Sequence, residues 1–107
     1  MNKVQRERVC ELIGDFNDEI RAGRVSGSWR KDALKSGEAT IASMRAEASY
    51  NSYNYCFAGY LQWVGGLIGF KDIVLEPEAR SAWRAIKNYA LVDLQKEMRG
   101  GGLATMF

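Results

Sequence analysis

The chain has 107 residues, 15 Lys plus Arg against 13 Asp plus Glu, two Cys, one Pro and no His. With 47% hydrophobic and 26% charged residues it reads as one globular helical domain over residues 1–107, long enough to bury roughly two-thirds of its unfolded surface without metal or disulfide staples. The lack of His excludes His-based triads, His-ligated zinc and imidazole relays, and a net charge of +2 is too small to argue for nucleic acid by itself.

Residues 3–22 predict an amphipathic helix, because Val9, Leu12, Ile13, Phe16 and Ile20 recur at spacings of three and four. Asn2 followed by Gln5 resembles a capping box, and Gly23 suits a left-handed helix end. Gly14, inside the helix, predicts a close packing contact. Residues 23–37 are irregular, with Ser28 and Ser36 as alternative N-caps for a second helix.

From Ala39 the pattern is helical, with Ile41, Met44 and Ala48 on one side. Tyr53, Phe57, Tyr60, Val64 and Leu67 continue it in another register. The sequence leaves open a single long helix with a twisting buried face or two helices split near residues 49–54. Residues 48 to 70 carry no charge, but the properly apolar part, Cys56 to Phe70, is 15 residues long and contains Gln62. That length suits a buried core helix and no membrane span.

The last helix starts at Pro77, with Glu76 and Glu78 at the positive end of its dipole. It runs about 21 residues with Ala79, Trp83, Ile86, Ala90 and Leu94 as the buried stripe, stopping at the glycines 100–102. Leu103 to Phe107 forms an apolar tail that docks or frays, residues 102–107 being the frayed stretch in the second case. Ile73 to Leu75 is extended but too short to found a sheet. The expected fold is therefore all-α, a compact bundle of three to four helices.

Four features could carry function. Glu7, Glu11, Asp15 and Asp18 follow one face of the first helix; with matching oxygens opposite they could hold Mg²⁺, but they read as a solvated face. Arg21, Arg24, Arg30, Lys31 and Lys35 stand near Trp29 with Asp32 as the acid among them, a set suited to an acidic protein surface or to phosphate and base together. As an alternative, Trp29 anchors the core. The run Ser49 to Tyr55 has the Tyr/Ser/Asn composition of adaptable contact surfaces, with Tyr50 and Tyr53 as its contact candidates, or else half-buries its tyrosines. Gly59, Gly65, Gly66 and Gly69 allow close approach, within the monomer or across a homodimer.

No phosphate loop, dinucleotide fingerprint or Cys cluster is present, so neither a cofactor nor a metal is expected. The polar, charged start of the chain is no secretory segment, and two lone thiols suit the cytoplasm. The expected function is a small non-enzymatic module that binds and modulates or inhibits a larger protein or protein–nucleic acid complex. Phage-encoded modulators of host or defence machinery are of this type. The alternative is direct nucleic-acid or nucleotide binding through the Trp29 loop and the tyrosines. Arg24, Trp29, Arg30, Lys31, Lys35, Tyr50 and Tyr53 are the candidate binding residues.

Overall fold

The computed structural model describes residues 1–47 and 50–99, with the side chains of Tyr50, Asn51 and Arg99 outside the description. The apolar tail and the glycines 100–102 lie outside the described residues. Helix α1 spans Lys3–Arg21, β1 Val25–Ser26, α2 Arg30–Arg45, α3 Tyr50–Gly69, β2 Val74–Leu75 and α4 Pro77–Asn88. A π-helical segment, Tyr89–Asp93, and a short α5, Gln95–Arg99, complete it. The fold is the expected small all-α bundle, with a two-residue antiparallel ribbon, Val25 opposite Leu75 and Ser26 opposite Val74.

Helix α1 forms where its stripe and caps place it. The Asn2 side chain accepts from the Gln5 amide at 2.8 Å, the Gln5 side chain accepts from the Asn2 amide at 2.9 Å, and Gly23 takes φ 82° beyond the last turn. Val9, Ile13 and Phe16 are fully buried, and α1 packs against both α2 and α4. The contact expected at Gly14 is absent, since a Cβ there would meet nothing within 4 Å. The close approach occurs at Gly37 of α2, where a Cβ would stand 2.6 Å from Asn17 Oδ1. Asn17 is buried against it and donates Nδ2 to the Leu34 carbonyl at 3.4 Å. The inward stripe of α2 is accordingly Ala33, Gly37, Thr40 and Met44, with Ile41 at its edge.

Neither Ser28 nor Ser36 caps α2. Ser26 is drawn into β1 and Gly27 turns at φ 116°, so Trp29 occupies the N-cap without a side-chain bond. Gly27 passes so close to Asp72 and Ile73 that any side chain would overlap the Asp72 carbonyl oxygen. The central segment is two helices, and Ala46, in extended conformation, ends the first. Of residues 49–54, the expected region of the split, 50–54 are already inside α3.

The last helical run keeps its predicted stripe: Ala79, Ile86, Ala90 and Leu94 are fully buried and Trp83 is nearly so. From Ile86 through Ala90 and Leu94 to Met98 the buried residues recur every four positions, and in an α-helix each such step rotates the stripe by about 40°. The wider π turn, closed by the Leu94 amide on the Tyr89 carbonyl at 2.9 Å, takes up that drift.

Trp83 meets Phe16 of α1 at 5.4 Å between ring centroids and Tyr60 of α3 at 6.1 Å, both tilted. The Tyr60 hydroxyl is buried with no hydrogen-bond partner among the described residues, and burial pushes its pKa far above the ordinary tyrosine value. The unfolded chain releases this proton near pH 10 and the folded chain holds it, so folding loses stability as pH rises through 10. Tyr60→Phe should raise stability by about 1 kcal/mol at pH 7 and flatten the alkaline loss. Urea melts at pH 7 and pH 10.5 check both; a destabilised variant at pH 7 would show that the hydroxyl is bonded.

Candidate functional site: the ribbon end and its cationic slot

The ribbon clamps two loops together. The Glu76 amide donates to the Arg24 carbonyl at 3.0 Å, and Gly27 lies against Asp72 and Ile73. On one side stand the predicted loop residues. Trp29 is 48% exposed, so it is no core anchor. Arg30, Lys31 and Lys35 are exposed, and Arg30 donates Nη1 to the Gly27 carbonyl at 3.0 Å. Arg24, for which Asp32 is the expected nearby acid, is instead paired with Glu19, which holds its guanidinium pKa above the ordinary value through that hydrogen bond. Arg21 likewise pairs with Asp18 at 3.2 Å and Glu38 at 3.4 Å. Helix periodicity is the reason, because it carries α1's acids to the end where these arginines emerge.

The tyrosine run does not form one surface. Helical geometry turns Tyr53 and Asn54 inward and leaves Ser52 and Tyr55 outside, while the side chain of Tyr50 lies outside the described residues. The burial of Tyr53 fits the alternative expectation for this run, a tyrosine that buries its ring and ties its hydroxyl to a neighbouring helix. The end of α2 leaves carbonyls without helical partners. Tyr53 donates its hydroxyl to the Ala46 carbonyl at 2.6 Å, and Arg6 donates Nη1 to the Met44 carbonyl at 3.0 Å. The Arg6 guanidinium carbon lies 4.3 Å from the centroid of the Tyr53 ring, joining the two in a cation–π contact.

The acidic face of α1 stays solvated. Glu7, Glu11 and Asp18 lie within ion-pair distance of Arg45, Arg8 and Arg21 at 3.9, 3.0 and 3.2 Å. Among the described residues no group of three or more His, Cys, Asp or Glu is placed to hold a metal. No described helix is long and apolar enough to cross a membrane.

A second set of residues at this end escapes the sequence reading. Between β2 and α4 lies a cavity of about 520 Å³, open to solvent. Its floor is apolar, formed by Ile68, Ile73, Leu75 and Trp83. Lys71, Arg80, Arg84 and Lys87 stand around it, and no carboxylate is among its described lining residues. Arg80, Arg84 and Lys87 follow one another at i, i+4 and i+7, each one position beyond a residue of the buried stripe or beside it, so their stems flank the apolar floor. That spacing is visible in the sequence once α4 is phased. Lys71 is not predictable in the same way. It sits at φ 61°, past the end of α3, with its amide on the Ile68 carbonyl and the Asp72 amide on the Leu67 carbonyl. A left-handed backbone costs a lysine about 1–2 kcal/mol, and glycine is the usual occupant of this position.

Gly59, Gly66 and Gly69 have open space where a Cβ would stand, so intramolecular packing does not explain them. No family model, curated protein or solved structure matches this chain, and function has to be read from the geometry above.

Tyr53→Phe should lower stability by about 1 kcal/mol through the orphaned Ala46 carbonyl, seen as an earlier urea midpoint. An unchanged midpoint would show that the hydroxyl bond to Ala46 adds no net stability.

Proposed function

We propose that the protein is a non-enzymatic interaction module that binds a larger macromolecular partner, modulating or inhibiting it through its ribbon end. The observation that carries this reading is the exposure of Trp29 at the N-cap of α2, beside exposed Arg30, Lys31 and Lys35 in the first turns of that helix, next to the loop fixed by the ribbon. A half-exposed Trp among cations is the composition of an interface anchor with its charged surround. Pre-ordering of the loop lowers the entropy cost of binding. Arg24, already paired with Glu19, braces the loop. The two unbridged thiols, Cys10 buried and Cys56 partly so, suit a reducing compartment such as the cytoplasm.

The test uses Trp29→Ala and the double change Arg30→Glu, Lys31→Glu. Neither should move the melting temperature, because none of the three side chains lies in the core. A partner captured by the wild-type chain from native lysate and identified by mass spectrometry should be lost or weakened with both variants. Trp29→Ala should mainly speed dissociation and charge reversal mainly slow association. Unchanged partner binding by both folded variants would overturn the reading. Tight retention on DNA that collapses between low and moderate salt would instead establish the nucleic-acid alternative.

The outer face of α3 supports a second reading, self-association. Tyr55, Trp63 and Phe70 are 64%, 41% and 83% exposed, with open glycines 59 and 66 between them and no charge on the helix. In an antiparallel pair centred between Val64 and Gly65, Phe70 of each copy faces Gly59 of the other and Trp63 faces Gly66. Sedimentation at rising concentration should show a dimer that Gly66→Leu abolishes. A monomer throughout would remove this reading.

A further inference from the structure

We propose that the slot between β2 and α4 is a peptide-binding site for an extended segment of a partner protein in which apolar and acidic residues alternate. The proposal rests on reading the protein as an interaction module but uses residues separate from the Trp29 loop. Charge complementarity comes first. Four cations surround the cavity and no carboxylate is among its described lining residues, so an anionic occupant is favoured over a neutral or cationic one.

The distribution of those cations decides what kind of anion. Arg80, Arg84 and Lys87 are spread over seven residues of α4, about 10 Å along the helix axis, and Lys71 faces the slot from the loop before β2. A single phosphate cannot meet charges so dispersed. Two carboxylates two residues apart on an extended chain stand roughly 7 Å apart, close to the roughly 6 Å rise from Arg80 to Arg84. Successive side chains of an extended chain point to opposite sides. Apolar residues can then pack on half-buried Ile68 and exposed Val74, with Ile73 and Leu75 buried beneath them, while their acidic neighbours meet cationic heads at the mouth. Exposed Val74 extends the apolar surface at the rim.

Nucleic acid fits less well. Strand binding needs aromatic faces for bases to stack on, and the one aromatic side chain among its described lining residues, Trp83, is only 5% exposed. Lys71 strengthens the case, because a charged residue stands in a left-handed turn at the edge of the slot, where glycine would be less strained.

The probe is a fluorescein-labelled eight-residue peptide alternating Leu and Asp, read by anisotropy at low and moderate salt. Its controls are the same peptide with Asn for Asp and a labelled oligothymidylate. Wild-type protein should bind the acidic peptide saturably, with the Asn peptide at least about tenfold weaker. Lys71→Glu with Arg84→Glu should weaken acidic-peptide binding by a similar factor, while Trp29→Ala should leave it unchanged. If the double variant melts early, Arg84→Gln reads the same loss on a milder background. Amide shifts in ¹⁵N-labelled protein should cluster at Lys71, Val74, Leu75 and Arg84. Absence of saturable peptide binding, equal binding of the Asn peptide, undiminished binding by the folded variants, or oligothymidylate occupying the same residues would each overturn the proposal. Because Trp29→Ala is silent here, failure of the slot and failure of the Trp29 loop are read separately.

Discussion

Phe16, Tyr60 and Trp83 bring α1, α3 and α4 together, and the rest of the fold depends on that contact. The three rings come from the beginning, middle and end of the chain, so ordering them closes two long loops at once. Their burial has to repay that entropy, and large aromatic surfaces are the side chains best able to do so. The cost is visible at Tyr60, whose hydroxyl is carried into the core without a partner among the described residues.

Once α4 is held against α1 by Trp83, the loop before α4 has little freedom left. Val74 and Leu75 run beside Val25 and Ser26, and the resulting ribbon is too short to be stable alone. Its stability is borrowed from the helices at either end. In return it fixes Trp29 on one side and the wall of the cationic slot on the other. Lys71 takes a strained positive φ at the same place, and Gly27, which turns at positive φ as glycine readily does, lies tight against Asp72.

The break between α2 and α3 shows a different economy. Two side chains, Arg6 and Tyr53, satisfy the carbonyls that the break exposes, and they also touch each other. A run of Tyr, Ser and Asn that resembles a contact surface is therefore partly a repair of helix ends. Composition alone does not separate these roles, because phenol hydroxyls serve both equally well.

The sequence by itself determined the helices that own a clear stripe and a clear cap. Val9 to Ile20 with the Asn2–Gln5 box, and Pro77 followed by Ala79, Trp83 and Ile86, are local signals that any helical register must honour. It also fixed Gly23 as a left-handed end. The inward face of α2 was not legible, because Ala33, Gly37 and Thr40 are small or polar, and only Asn17 on the neighbouring helix makes Gly37 meaningful. Nor was the slot legible, because its cations come from two segments separated by a strand. Those arrangements depend on which elements meet, and the meeting is decided by long-range burial that no local pattern encodes.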